Sequence, residues 1–295
     1  MVELRYRVVN VFVPSDATDV FSGNALAVFE DGRLAEGSEA EVTNLLQGLA
    51  RQLNLSETTF LLDAPTRGER RVRIFTSNTE LPFAGHPTLG SAFAAHALDG
   101  ECHAVHTGAG RIAVANYATD ARRALDGWRL NANRAVFAPP LPPPQLAAVA
   151  AMAGFAPADL VPADIPVVSV NTGIWQLMAQ VASVDALNRA SVPHVAQMES
   201  LGCKGVLYFV LDKPSRTITS RFFFKEPSAV LEDPGTGSAC ANLGRLLQRE
   251  GLRGVFKLSQ GHALQRLCEI IITIDDTDVT VGGRVVEVGS GVFRV

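Results

Sequence analysis

The chain has few cysteines, and none are spaced as in a disulfide framework. Four occur among 295 residues, far apart and without a Cys-x-x-Cys pair; they are Cys102, Cys203, Cys240 and Cys268. Small disulfide-stabilised folds need a denser pattern, and a sparse one is typical of reducing compartments. The cysteine content therefore predicts a folded protein without disulfides.

Long apolar runs and an excess of positive charge are also missing. No apolar run approaches the roughly 20 residues of a membrane span, and the first seven residues lack the apolar core of a signal peptide. The net charge is −4, and no cluster of Lys and Arg lies beside aromatic residues. A basic patch is the usual mark of nucleic-acid binding. These absences predict a cytoplasmic protein with neither a membrane nor a nucleic acid as partner.

What is present is the composition of a folded α/β protein. The chain is 47% hydrophobic and 19% charged, and 295 residues suffice for two domains. Ser38 and Glu41 form a capping-box pattern that begins an amphipathic helix ending at Asn54. Apolar, β-branched runs predict strands in both halves. Five prolines within residues 138–144 predict a stiff connector near a domain boundary, or else a surface loop within one domain.

The second half of the chain repeats features of the first. Arg221-Phe222-Phe223 lies 148 residues after Arg73-Ile74-Phe75, Phe209 lies 149 residues after Phe60, and Gly235 lies 150 residues after Gly85. A nearly constant offset, with strand and helix types in the same order, favours two copies of one α/β unit over chance similarity. Two packed copies would leave a cleft between them, where small-molecule sites are common.

Each half contains a glycine turn that leads into a predicted helix. The first is Phe83-Ala84-Gly85-His86-Pro87-Thr88, with Pro87 expected at the first helical position, and the second is the segment 232–238. Exposed backbone N–H groups and the helix dipole make such helix starts suitable for anions. We therefore expect Gly85 and Gly237 to help bind an anionic group of a substrate.

One carboxylate lacks a counterpart in the repeat. Glu57 lies where a helix passes into a strand, and the offset of 149 places Val206 at the matching position. A half-buried carboxylate has a raised pKa and can act as a general base and then as the acid. The alternative is a solvated glutamate in a loop.

Three further residues are candidates for substrate binding. His86 would lie near the helix start with its ring beside the anion site, or would merely cap or pack. Asp233 could bind an ammonium group or anchor its turn. Ser238 could hold a carboxylate together with nearby backbone N–H groups, or cap the helix. Glu101, His103 and His106 lack the spacing of a metal site, so no metal is expected.

At these motifs the sequence resembles the phenazine-biosynthesis (PhzF-like) isomerase family, within the diaminopimelate-epimerase-like superfamily. The resemblance rests on five segments in order, which are 22–29, 54–60, 73–76, 80–87 and 232–239. Gly-His-Pro at 85–87 and Asp-x-x-Thr-Gly-Ser-Ala from Asp233 are the most specific. Ala25 departs from the family, which usually has proline there.

The resemblance implies a fold and a set of roles. The expected fold is α+β, with two pseudo-symmetric α/β barrels, each around a central helix, and a cleft between them. The first domain would cover residues 1–128 and be completed by 289–295, and the second would cover 129–288. The resemblance also implies a homodimer without cofactors. Glu57 would be the base and acid, and His86, Asp233, Gly237 and Ser238 would bind or polarise a small carboxylate substrate.

The positions of the catalytic thiols in related epimerases narrow the range of possible reactions. Related epimerases use one cysteine from each half, and the matching residues here are Ala84 and Pro234. Racemisation between two cysteines is therefore excluded. The sequence favours a one-base isomerase, comparable to the enzyme that acts on trans-2,3-dihydro-3-hydroxyanthranilate. The alternatives are a non-catalytic protein that binds a small anion, and an epimerase or lyase on the same scaffold.

Overall fold

The computed structural model describes residues 2–16, 21–30, 37–117, 127–160 and 165–295. The fold is mixed α/β, with many strands and few helices. The strands are β1 (Glu3–Val13), β2 (Asn24–Phe29), β3 (Glu57–Leu62), β4 (Glu69–Phe75), β5 (Glu80–Leu81), β6 (Ala104–Thr107), β7 (Gly110–Tyr117), β8 (Gly127–Asn131), β9 (Val136–Phe137), β10 (Val168–Asn171), β11 (Trp175–Gln180), β12 (Gly205–Asp212), β13 (Thr217–Lys225), β14 (Val230–Asp233), β15 (Gly254–Gln260), β16 (Cys268–Ile274) and β17 (Val279–Arg294). The helices are α1 (Glu39–Leu53), α2 (Gly85–Asp99), α3 (Pro143–Met152), α4 (Val184–Asn188), α5 (Val195–Ser200) and α6 (Gly237–Arg249).

The chain divides into two compact units. The first comprises Met1–Asn131 together with Gly282–Val295, and the second comprises Ala132–Val281. The last long strand, β17, begins in the second unit, and from Gly282 onward it belongs to the first.

The first unit is an eight-stranded barrel closed around α2. Each strand pairs with the next in the order β1, β2, β3, β4, β6, β7, β8 and β17, and β17 pairs back with β1. Helix α2 contacts seven of these strands, namely β1, β2, β3, β4, β6, β7 and β8. Residues 83–92 are all buried. A helix buried on every side must be apolar or small on every side, and the sequence of α2 is rich in alanine and glycine.

Close packing of α2 against the barrel depends on small residues. A Cβ atom at Gly90 would lie 2.5 Å from Cδ2 of Leu26 in β2. Helix α1 instead packs one apolar face on the barrel, through Leu46 and Leu49 against Phe60. Its ends are as the sequence predicts. Ser38 forms the capping box with Glu41, and Asn54 ends the helix in the left-handed conformation.

The second unit repeats the pairing pattern of the first. Both contain an antiparallel pair, a parallel pair, a second antiparallel pair, a parallel pair and a third antiparallel pair. In the first unit these are β1–β2, β2–β3, β3–β4, β4–β6 and β6–β7, and in the second β10–β11, β11–β12, β12–β13, β13–β15 and β15–β16. Helix α6 contacts β10, β11 and β16, and residues 237–244 are buried.

An arginine in each unit shows which single residues of the two units correspond to each other. Arg73 binds Glu80 and lies over the ring of Phe75. In the second unit, Arg221 binds Glu232 and lies over Phe223. The shared contacts make Arg73 equivalent to Arg221. The internal repeat predicted from the sequence is therefore present in both topology and side-chain contacts.

The strand register and the helix starts correct three of the predicted equivalences. Because Phe60 lies opposite Arg73 and Tyr208 lies opposite Arg221, Phe60 corresponds to Tyr208 and not to Phe209. By the same register, the residue equivalent to Glu57 is Gly205 and not Val206. Helix α2 begins at Gly85 and α6 at Gly237, so Gly85 corresponds to Gly237 and not to Gly235. The hairpin before α6 is longer than that before α2, and this difference changes the offset along the chain.

The proline-rich stretch lies within the second unit and does not join the two units. The N–H group of Ala138 donates to the carbonyl of Ser169, and the N–H group of Leu141 donates to that of Val167. Helix α3 then begins at Pro143. Proline lacks an N–H group, so the non-proline residues supply the hydrogen bonds that attach this segment to the sheet.

Candidate active site

Glu57 is the first residue of β3, where the strand enters the barrel. It pairs with Leu26 of the parallel strand β2. Its side chain is 16% exposed, so the carboxylate is largely enclosed yet reachable from solvent. The polypeptide has just left α1 through Asn54, and the short turn after that residue sets the direction in which β3 begins.

His86 lies beside Glu57. It is the second residue of α2, whose N-cap is Ala84. Nε2 of His86 is 3.4 Å from Oε2 of Glu57. Nδ2 of Asn24 lies 3.2 Å from Nδ1 of the same ring, and this hydrogen bond helps to hold the imidazole in place. The two residues that the sequence singled out for chemistry in the first half are therefore in contact.

Burial keeps His86 neutral at physiological pH. The side chain is 4% exposed, and loss of hydration lowers the pKa of the imidazole from its ordinary value near 6.5 to about 3. A neutral ring can polarise a neighbour or form hydrogen bonds, but it has no proton to release as an acid near neutral pH.

This pKa predicts a specific loss of stability in acid. The unfolded chain takes up a proton at His86 below pH 6.5, whereas the folded protein does so only near pH 3. The free energy of unfolding should therefore fall as pH falls through this window, by up to about 1.4 kcal/mol per pH unit. Urea unfolding between pH 4 and 8 should show a steeper decline for the native protein than for His86→Gln.

The exposed residue His262 supplies a control for that measurement. We expect His262→Gln to follow the native profile. If the free energy of unfolding fell equally with pH in the native protein and in His86→Gln, His86 would not stay neutral in the folded state.

The second unit has no room for a counterpart of Glu57. Gly205 occupies the equivalent position, and a Cβ atom there would lie 2.6 Å from Cζ of the Phe222 ring. That ring is 4% exposed, so it cannot move into solvent without cost. Packing therefore enforces the asymmetry between the two copies of the repeat.

Asp233 ends β14 and begins the glycine turn of the second unit. The hydroxyl of Thr236 donates to Oδ2 of Asp233 at 2.5 Å. Nε2 of the buried residue Gln260 donates to the backbone carbonyl of Asp233 at 2.8 Å and to Oγ1 of Thr236 at 3.0 Å. Asp233 therefore anchors its own turn, as one of the two interpretations of the sequence predicts.

Gly237 and Ser238 form the first two positions of α6. The N-cap is Thr236, and it makes no side-chain capping bond. Ser238 lies inside the first turn, so it does not cap the helix. Its Oγ accepts a hydrogen bond from Nε2 of Gln176 at 3.0 Å. By helix position, Ser238 is the counterpart of His86, since each is the second residue of its central helix.

The thiols of the protein are unsuited to acid or base chemistry. Cys240 lies in α6, and burial raises the pKa of its thiol far above the usual range. Burial likewise raises the pKa of Cys102 and of Cys203 to about 11. Ala84 and Thr236 precede the first glycine of each central helix, so Thr236 replaces Pro234 as the position that matches Ala84, and neither residue carries a thiol. Cys240 is fully buried and packs in the interior of the second unit.

The histidines near residue 103 belong to an ion-pair cluster. Nε2 of His106 lies 2.5 Å from Oε2 of Glu69, and Arg111 binds the other oxygen of Glu69 at 2.9 Å. The described residues contain no group of three or more His, Cys, Asp or Glu placed to hold a metal ion. Among all the residues that the structure describes, no helix is long and apolar enough to cross a membrane.

Several polar residues at these positions were not identified as site residues from the sequence. Asn24, Gln176, Asn242 and Gln260 are all buried and all contact a predicted site residue or its neighbour. Asn24 belongs to the segment 22–29, which is one of those that carry the family resemblance, so its role could have been anticipated. The other three lie far along the chain from their partners, and no local pattern marks them.

Comparison with known proteins identifies the family. The family model described as phenazine biosynthesis-like protein matches residues 11–291. This chain belongs to the phenazine biosynthesis-like family. An uncharacterised isomerase of Pasteurella multocida is 33% identical over 97% of this chain and 92% of its own length. The trans-2,3-dihydro-3-hydroxyanthranilate isomerase of Pseudomonas aeruginosa is 44% identical, over 30% of this chain and 29% of its own.

Solved structures support the same assignment. A protein of Pseudomonas aeruginosa described as a predicted epimerase superposes with a TM-score of 0.80 at 30% identity, over 99% of both chains. A PhzF-family protein of Bacillus anthracis gives a TM-score of 0.78 over the whole of both chains at 18% identity, which shows the fold alone. A probable proline racemase of Agrobacterium radiobacter shares the fold at a TM-score of 0.61 and 14% identity, over 98% of this chain and 92% of its own. This member of the phenazine biosynthesis-like family is an isomerase.

Proposed function

We propose that this isomerase moves a proton within a small carboxylate substrate, with Glu57 as the single base and acid. The observation that carries the proposal is the pair formed by Glu57 and a buried, neutral His86 at 3.4 Å, in a repeat whose other copy has Gly205 in place of the glutamate. A carboxylate with no counterpart in the repeat favours chemistry on one face of the substrate.

The proposed reaction is a proton transfer in two steps. Glu57 removes a proton from a substrate carbon, and the electron pair of that C–H bond moves into the adjacent unsaturated system. Glu57, now a carboxylic acid, returns the proton to a second carbon on the same face. The atoms of the substrate are conserved and no redox partner is needed. General acid/base catalysis of this kind contributes about 10²- to 10⁴-fold.

The remaining site residues are assigned to substrate binding. His86 would form a hydrogen bond as a neutral ring. The N–H groups at Gly85, Gly237 and Ser238 lie at helix starts, where negative charge is favoured. Asp233, which also anchors its own turn through Oδ2, would face a substrate amino group. That residues of both units serve one substrate stays a prediction from the family resemblance, as do the homodimer, the cytoplasmic location and the absence of a cofactor.

The substrate candidate comes from relatives. The Pseudomonas isomerases that act on trans-2,3-dihydro-3-hydroxyanthranilate match under a third of this chain. We propose this compound as the first to test, within the wider class of small cyclic amino acids. An epimerase on the same scaffold is the competing function.

An exchange screen tests the proposal. The protein is incubated in D₂O with small cyclic amino acids and carboxylates, including trans-2,3-dihydro-3-hydroxyanthranilate, and the spectra are followed by proton NMR. We expect at least one compound to incorporate deuterium or isomerise, with no change on addition of a chelator. Absence of exchange in every compound, with several carboxylates raising the melting temperature, would contradict the proposed proton transfer on this class of substrate. Inversion of a stereocentre would favour the epimerase.

A further inference from the structure

A series of hydrogen bonds crosses the interior of the second unit and ends at Ser238. Oδ1 of Asn242 accepts from the backbone N–H of Thr172 at 2.8 Å. Nδ2 of Asn242 donates to Oε1 of Gln176 at 2.8 Å. Nε2 of Gln176 then donates to Oγ of Ser238 at 3.0 Å. The four residues are each at most 8% exposed.

Backbone groups at one end fix the direction of every bond in the series. An N–H group can only donate, so the atom of Asn242 that faces Thr172 must be the amide oxygen. The amide nitrogen of Asn242 also faces the backbone carbonyl of Ile174, at 3.1 Å, which can only accept. The orientation of Asn242 is therefore determined at both ends of its amide.

The fixed amide of Asn242 sets the amide of Gln176 in turn. The nitrogen of Asn242 donates, so the oxygen of Gln176 faces it, and the nitrogen of Gln176 faces Ser238. Ser238 is thus an acceptor toward Gln176, and its hydroxyl proton has to point elsewhere. Among the residues that the structure describes, Gln176 is the one hydrogen-bond partner of the Ser238 side chain.

We infer that Gln176 is a positioning residue that makes Ser238 a hydrogen-bond donor to the ligand. A hydroxyl can donate or accept a hydrogen bond. Because Oγ of Ser238 already accepts from Gln176, its proton is the group that remains to bond the ligand. The ligand atom at Ser238 must then be an acceptor, such as a carboxylate oxygen, and a ligand that presents an N–H group there is disfavoured. The inference deepens the proposed function and rests on it in one respect, that the site takes a carboxylate.

Anthranilate and anthranilamide form a matched pair of probes. They share the ring and the amino group, and they differ in carrying a carboxylate or a carboxamide. Titration calorimetry at pH 8 should show that the native protein prefers anthranilate. Hydrogen bonds to charged groups contribute enough to make the preference about tenfold or more.

Substitutions at Gln176 should weaken that preference to different extents. In Gln176→Glu, the new carboxylate accepts the Ser238 proton and repels an anion, so anthranilate affinity at pH 8 should fall by about tenfold or more. Lowering the pH to 5.5 protonates a buried glutamate, whose O–H can donate to Ser238 as the amide did, and affinity should recover. In Gln176→Met the hydroxyl is free to rotate, and the loss should be intermediate.

Gln180→Glu is the matched control. Gln180 lies on the same strand and is 6% exposed, against 5% for Gln176, but it is outside the series. It should keep the native ratio of anthranilate to anthranilamide affinity. Far-UV circular dichroism and the melting temperature confirm that each variant folds.

The outcomes separate this inference from the proposed function. If the native protein binds anthranilate selectively and Gln176→Glu loses that selectivity with recovery at pH 5.5, the inference holds even if no compound is isomerised. If Gln176→Glu and Gln176→Met lose affinity equally and without pH dependence, Gln176 is only structural and the inference is wrong. A native protein that does not distinguish the two probes would also overturn it.

Discussion

Glu57→Gln is expected to lower kcat by about a hundredfold to ten-thousandfold while leaving the fold and ligand affinity intact. The substitution keeps the shape of the side chain and its place at the start of β3, but it removes the group that accepts and returns a proton. His86 cannot take over, because burial lowers the pKa of its ring to about 3 and so makes it a weak base. Turnover of the exchanging compound, followed by NMR, measures the effect.

Glu69→Gln is the matched control for that substitution. Glu69 is in the same unit, and its side chain is 8% exposed, against 16% for Glu57. It binds His106 and Arg111, away from the chemistry proposed here, so its loss should leave kcat within about twofold of native. Native turnover in Glu57→Gln would remove Glu57 from the mechanism, whatever else the site does.

Arg221→Met is expected to destabilise the protein by about 3–5 kcal/mol, against about 0–1 kcal/mol for Arg73→Met. The two arginines make the same ion pair in the two copies of the repeat. Arg221 and Glu232 are 11% and 6% exposed, whereas Arg73 and Glu80 are 20% and 38% exposed. Removing Arg221 leaves a buried carboxylate uncompensated and also frees the carbonyl of Ala190, which Arg221 bonds at 2.6 Å. Urea unfolding at pH 7.5 measures the free energy of unfolding of the two variants and of the native protein.

A double substitution separates the lost pair from lost packing. Arg221→Met combined with Glu232→Leu removes both charges, and we expect it to recover much of the loss, because an apolar replacement of a buried ion pair is often nearly neutral. Equal losses for Arg221→Met and Arg73→Met would mean that burial does not distinguish the two copies.

Local signals predicted the elements of the fold well. The capping box at Ser38 and the left-handed residue at Asn54 fix both ends of α1, because these signals act within one turn of the chain. The start of α2 was predicted later than it occurs. Pro87 was expected at the first helical position, whereas the helix begins at Gly85 and proline is its third residue. Proline is tolerated there because the first N–H groups of a helix have no intrahelical partner.

The site was predictable only in part. Glu57 and His86 are 29 positions apart in the sequence, and their contact follows from the repeat and the family motifs rather than from any local pattern. The equivalence of Glu57 with Gly205 required the strand register, since a loop of different length changes the offset between the repeats. The series from Thr172 to Ser238 joins residues 62–70 positions apart, so sequence alone could not reveal it.

The stereochemical course of the proton transfer tests the account most directly. Turnover in D₂O of a substrate labelled on one face gives a product in which NMR can locate the new carbon–hydrogen bond. A single carboxylate at Glu57 reaches one face, so the hydrogen should leave and return on the same side of the ring. Removal from one face and delivery to the opposite face would require a second acid or base, and it would contradict one-base catalysis by Glu57.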